Sequence, residues 1–295
     1  MSASRPWSNR LLLIAALLPV LLATAWAFLI LDHEGKRENE ARFSVQADAV
    51  AAGISERLQN CLDVLWGTRG LFLASEEVTH DEFRDFIAAL HLDVRHPEVR
   101  GIAFVQYVPA EGVESVLATI RREVPGAVAR AIPADDADDA DGQAQAVVRF
   151  IEPLAANHQA LGMNGFAEPL RRSAFETARD NGEAQLTKPL MLVQGPEAIG
   201  FLLMVPVYQA GPPPTTVAER RARLRGWVNA PFTSVDLLHN LPLMRDQERE
   251  QTTMRVRDVT DPTQPYLVNE SGRARNAPDH GAQACLLYTS PSPRD

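Results

Sequence analysis

Chemistry-bearing residues come together at three places in this chain. His91, Asp93 and His96 lie within one hexapeptide, HLDVRH. Imidazoles and a carboxylate are the ligand types of a zinc site. Two histidines five apart on a helix do not share a face, however, whereas spacings of three or four do. Residues 133–145 (PADDADDADGQAQ) are rich in aspartate. A calcium loop of the helix-loop-helix kind needs ligands, a glycine and a terminal glutamate at fixed positions, and that pattern is not met. A solvated acidic loop is expected instead. Glu152 precedes Pro153 at a strand end, which reads as a turn feature rather than a general acid. The chain has no G-x-S-x-G, no phosphate-binding glycine loop, no H-E-x-x-H and no C-x-x-C. The expectation is therefore no catalytic residue, no metal site and no cofactor. An exported hydrolase with an unrecognised site is the alternative.

The elements around these residues begin with an apolar run, Leu11–Leu31 (LLLIAALLPVLLATAWAFLIL). As a helix rising ~1.5 Å per residue it spans the ~30 Å hydrocarbon core of a bilayer. Arg5 and Arg10 precede it, and Asp32 and Glu34 follow. This bias puts residues 1–10 in the cytoplasm and the rest outside, although Lys36 and Arg37 oppose it. Ala23-Thr24-Ala25 also fits a signal-peptidase site, so an anchor and a cleaved signal both remain open. Either exports the domain. The net charge of −9 argues against nucleic acid as a partner. Lysine is confined to Lys36 and Lys188 while arginine abounds, as in GC-rich bacterial genomes. A bacterial inner-membrane protein with a periplasmic or extracellular domain is expected.

Residues 38–75 read as one long helix. Ala47, Val50, Ile54, Leu58, Cys61 and Leu65 recur every three or four positions. Such a stripe serves a stalk that pairs in a homodimer, or packs on its own domain; both remain open. Cys61 reads as a small buried hydrophobe. Thr79 and Glu82 form a capping box before a helix with Phe83, Phe86, Ile87 and Leu90. Strands are expected at Gly101–Val108, Ala127–Ile132, Ala146–Leu154, Gln185–Val193, Gly200–Tyr208, Gly226–Phe232, Thr253–Val259 and Tyr266–Val268. Helices are expected at Val113–Val124, Glu168–Asp180, Thr216–Arg225 and Ser234–Leu241, and a loop at Gly195-Pro196. This mixture lacks strict alternation and points to an α+β fold with antiparallel sheets. Cys285–Asp295 (CLLYTSPSPRD) reads as a translated transposase sequencing adapter, so the natural sequence is expected to depart near Ala284, with 261–284 an incomplete end of the sensor region.

Several stretches, taken in order, resemble a known family. They are Leu71–Ser75 and Phe83; a strand ending Glu152-Pro153; Leu161-Gly162-Met163-Asn164; and a helix with Arg171, Arg172 and Ala178-Arg179, then Gly182. Leu186-Thr187-Lys188-Pro189, Pro206-Val207-Tyr208, Gly226-Trp227-Val228 and Phe232 complete the series. The chain from about Phe43 to Thr260 resembles the CHASE domain, the extracytoplasmic sensory domain of histidine kinases, adenylate cyclases and cyclic-di-GMP enzymes. The resemblance implies a stalk helix, then two PAS-like subdomains within 76–260, with a small-molecule pocket in the membrane-distal one. It also implies a second membrane span and a cytoplasmic output domain. By position, the ligand-reading residues are Asn164, Arg171, Met204, Asn229 and Ala230. Asn164 stands where relatives often carry aspartate, and Asn229 and Ala230 where they carry glycines. Plant cytokinin receptors hold the purine through an aspartate and a threonine, at positions matching Arg171 and Met204. A guanidinium only donates and cannot replace a carboxylate that accepts from a purine amino group. Cytokinin is thus not the expected ligand. An arginine there suits a carboxylate or phosphate, unless Arg171 is simply a solvated helix residue. A ligand-free dimerisation domain is the remaining alternative.

Overall fold

The computed structural model describes residues 48–97, 99–127, 144–192, 195–233, 254–258 and 266–271, with residues 17, 19, 26, 28, 44 and 45. Most of Leu11–Leu31, the start of the stalk, Val128–Ile132, most of the acidic loop, Ser234–Leu241, most of 261–284 and the tail lie outside the described residues. Among the described residues, no helix is long and apolar enough to cross a membrane. Contacts divide the chain into two units, 1–51 with 278–285, and 52–277 with 286–295. The sheets and the helices packed on them belong to the second unit.

Residues 52–74 form one helix, α1. Ile54, Leu58, Cys61, Leu62 and Leu65 on its apolar stripe are buried in the single chain. After a short break comes α2 (His80–Ala89), started by the expected box: Thr79 caps the Glu82 amide and the Glu82 carboxylate accepts from the Thr79 amide. Then come α3 (Leu92–Arg95), β1 (Ile102–Val108), α4 (Val113–Glu123), β2 (Gln145–Glu152), α5 (Leu154–Asn157) and α6 (Pro169–Asn181). The chain continues through β3 (Gln185–Leu186), β4 (Leu190–Leu192), β5 (Gly195–Tyr208), α7 (Val217–Ala222), β6 (Leu224–Thr233), β7 (Met254–Asp258) and β8 (Tyr266–Ser271).

The fold is α+β. One antiparallel sheet runs in the order β2-β1-β6-β5-β3, with β4 also paired to β5; β7 and β8 form a separate two-stranded ladder. Three details depart from expectation. Gln185–Val193 is not one strand. It breaks at Thr187–Pro189, where Pro189 has no N–H to give a ladder and the Thr187 hydroxyl accepts from the Leu202 amide at 3.0 Å. Gly195-Pro196 lies not in a loop but at the start of β5, with Gly195 opposite Leu192. The helix expected over Thr216–Arg225 stops at Ala222, because Leu224 and Arg225 already belong to β6.

Strand alternation gives the sheet two apolar faces. On one, Phe104 stacks on Phe72 of α1 at 4.0 Å between ring centroids, and Phe150 stacks on Phe83 of α2 at 5.3 Å. On the other, α6 lies over Val105, Trp227 and Met204. The fully buried Trp227 ring sits 4.8 Å from Phe175, and its indole N–H donates to the Phe175 carbonyl at 3.0 Å. α6 is held at both ends. Glu168 caps the amides of Leu170 and Arg171, and Gly182 ends the helix at φ 78°.

Gly226 sets the approach of β6 to β1. Its φ is 152°, and a β-carbon there would overlap the Val105 carbonyl oxygen. Gly226→Ala is expected to lower stability by about 2 kcal/mol or more, read as a lower urea midpoint of the chain.

Candidate ligand site

Beneath α6 the sheet leaves a cavity of about 50 Å³. Its walls are mostly apolar, including Val105 and Val148 from the sheet, Phe175 from α6, and Leu192 and Leu202. Two polar side chains also line it, Arg171 and Asn229.

Arg171 follows the cap of α6 by three residues, so the first turn of the helix aims it over the sheet. Its guanidinium donates to the Met191 carbonyl at 3.0 Å. Among the described residues no carboxylate lies within ion-pairing distance of it. Burial pulls its pKa below arginine's ordinary value, with the charge of Glu168 opposing. The guanidinium still carries its charge at neutral pH. Asn229 sits on β6, opposite Ala103 on one side and Met204 on the other. It is only 5% exposed, and among the described residues its amide has no hydrogen-bond partner. Its polar atoms are not among the side-chain atoms that are both sealed from solvent and unpaired, so they stay accessible to water or to a small molecule.

The other sequence-predicted residues fall nearby without lining the cavity. Met204 is fully buried in the cluster around Trp227. Asn164 is buried, and its side-chain oxygen accepts from the amides of Ala146 and Phe166 at 3.2 and 3.0 Å. That ties the segment before α6 to β2. Ala230 follows Asn229 on the strand and so faces the opposite side of the sheet, across from Leu203. His91 and His96 sit at the two ends of the four-residue α3, His91 with φ 51°. Among the described residues no group of three histidine, cysteine or carboxylate side chains is placed to hold a metal.

Sequence reasoning missed two clusters. The first joins α6 to α7: Asp180 accepts from Arg221 at 2.6 Å and Arg179 at 2.8 Å, and Arg220 donates to the Asp180 carbonyl at 2.9 Å. The buried Tyr208 hydroxyl donates to the Arg179 carbonyl at 2.6 Å, and burial pushes its pKa up to about 12. The second joins β6 to the end of α1. In the β5–β6 ladder Gly226 opposes Val207 and Leu224 opposes Tyr208, so Arg225 is an extra residue. A bulge of this kind re-aims its side chain. The Arg225 guanidinium donates to the carbonyls of Phe72, Ser75 and Glu76, at and just past the α1 terminus. Neither cluster could be found by spacing, because each pairs residues brought together only by the sheet.

The stretch that builds the main sheet, the cavity and the α6–α7 cluster is also the stretch that matches a known family, the CHASE domain, over residues 76–268. The chain belongs to the CHASE domain family. CHASE domains are extracytoplasmic sensory domains of signal-transduction receptors, and not catalytic ones. No curated protein matches this chain.

Asp180 gives a pH test of the α6–α7 join. The Arg221 hydrogen bond, and after it those from Arg179, hold its carboxyl well below the usual carboxylate range, against the opposing effect of burial. A depressed folded pKa contributes stability that is present above the ordinary value of 3.8 and is lost as the pH falls below it. The stability gap between wild type and Asp180→Asn is therefore expected to be widest at neutral pH and to close in strong acid, measured by urea unfolding along a pH series.

Proposed function

We propose that this CHASE domain is the input half of a membrane-bound receptor that binds a small molecule in the cavity beneath α6 and signals through β6 to the stalk helix. The observation that carries this reading is that one strand holds both ends of the route. Asn229 of β6 lines the cavity, and Arg225 of the same strand clasps the carbonyls that end α1. A ligand that favours one placement of β6 biases the end of α1 by at most the difference in its affinity for the two placements. The order β2-β1-β6-β5, with β3 and β4 at the far edge, supports reading the sheet as PAS-like. In this reading Leu11–Leu31 is the first of two spans in a bacterial inner membrane, the stalk pairs in a homodimer, and a histidine kinase or a cyclic-nucleotide or cyclic-di-GMP enzyme lies on the cytoplasmic side.

Binding at one hundred times the dissociation constant should stabilise the domain by about 2.7 kcal/mol, which for a domain of this size raises the Tm by about 5–10 °C. A thermal-shift screen of the chain against a metabolite panel checks this; a panel without a single shift sinks the sensor reading. In the intact receptor, Arg225→Ala is expected to cost about 2 kcal/mol of stability. It should leave ligand affinity within about threefold, a change under 1 kcal/mol, while abolishing the output response. An unchanged response rules out the β6 route.

A further inference from the structure

We infer that the cavity beneath α6 takes a small organic monocarboxylate with a short apolar body. This rests on the sensor reading above and names the ligand class for that site. The charge comes first. Arg171 is half-buried, its charge is partly desolvated, and among the described residues no carboxylate lies within ion-pairing distance of it, Glu168 acting on it only from further off. The acid closest in sequence, Glu168, is occupied in accepting from the Leu170 and Arg171 amides at 3.0 and 2.8 Å. An anion entering the cavity supplies the missing counter-charge, and a guanidinium matches the two oxygens of a carboxylate. Asn229 adds a donor and an acceptor, both unspent among the described residues, in a side chain more than nine-tenths buried.

The rest of the lining restricts the class further. No aspartate or glutamate lines the cavity, so a cation finds no partner there. Phosphate presents more acceptor oxygens and close to two charges, and one guanidinium with one carboxamide leaves much of that unmet. The remaining walls, Val105, Val148, Phe175 and Leu202 among them, offer only apolar contact. Size sets the last limit. A water needs about 10–15 Å³ of such space, so a cavity of about 50 Å³ admits a ligand of roughly three to five non-hydrogen atoms. Acetate and propionate fall in that range, and butyrate lies just past it.

The test is calorimetric titration of the chain with acetate, propionate, butyrate, propionamide, ethylamine and inorganic phosphate. At least one of the three carboxylates should bind, and propionamide should bind at least about tenfold more weakly than propionate, since it keeps the shape and loses the charge. Arg171→Gln should weaken carboxylate binding by roughly 10- to 100-fold, and Asn229→Leu should weaken it while raising the Tm of the unliganded chain. Equal binding of propionate and propionamide, preference for phosphate or ethylamine, or carboxylate binding indifferent to Arg171→Gln overturns the inference. If Arg171→Gln does not fold, the propionate and propionamide comparison decides alone. A neutral or cationic metabolite that shifts the Tm while no carboxylate binds overturns the ligand class and leaves the sensor reading standing. A chain that responds to nothing in either set loses both.

Discussion

The placement of β6 governs the rest of this domain. It is bonded on both edges, to β1 and to β5, and all of its residues but Arg225 are buried. A strand in that position has no solvent to absorb an error, so each of its residues must suit its surroundings. Gly226 does so by lacking a β-carbon where the Val105 carbonyl passes. Arg225, just before it, is the extra residue of a bulge, which frees its side chain to leave the sheet and reach the end of α1. Trp227 fills the space under α6 and satisfies its indole N–H on that helix. Only Asn229 is left with an unmet polar group among the described residues of the strand, and that group borders the cavity. The exception is informative because the rest of the strand is so fully accounted for.

The buried polar residues elsewhere show what an ordinary solution looks like here. Asn164 accepts two backbone amides and fastens the chain before α6 to β2. Asn157 donates to the carbonyls of Arg100 and Pro153 at 3.0 and 2.9 Å, while its own side-chain oxygen has no partner among the described residues. Thr187 donates its amide to the Leu202 carbonyl, and its hydroxyl accepts from the Leu202 amide. These residues hold the backbone together, as buried polar groups mostly do. Asn164 and Asn229 looked alike as ligand-reading positions in the sequence. The difference between them is a matter of hydrogen bonds, which only the assembled sheet defines.

Much of the local structure was legible in the residues. The Thr79 and Glu82 box, the amphipathic spacing of α4 and the glycine that ends α6 are signals contained within a single turn or helix, and the antiparallel α+β class follows from how such segments are strung together. The misjudged boundaries have a common cause. At Thr187–Pro189, Gly195 and Ala222–Leu224 the outcome was decided by strand pairing and not by the local pattern: Thr187 meets Leu202, Gly195 meets Leu192 and Leu224 meets Tyr208. The same holds for the site. Arg171 and Asn229 could be named by resemblance, but their shared cavity could not, because α6 and β6 meet only through the sheet. Arg225 was invisible for the same reason: its partners lie some 150 residues earlier in the chain.

A sheet arranged this way limits how a ligand can act. Interiors are close-packed, so a small occupant moves its surroundings in steps between packed states and does not bend them continuously. The cavity walls belong to elements with unequal freedom. β1 and β6 are locked by neighbours on both edges. α6 is held by its caps, by the Phe175–Trp227 contact and by the Asp180 cluster, and its first turn carries Arg171. On the opposite face, Phe72 of α1 stacks on Phe104 of β1, while Arg225 grips the backbone one turn further on. The end of α1 is therefore tied to two adjacent strands of the sheet. A change in the angle between β1 and β6 cannot satisfy both ties without moving the helix end. On the proposed sensor reading, transmission would need no loop or hinge, only that the sheet have two twists close in energy and that the occupant of the cavity distinguish them.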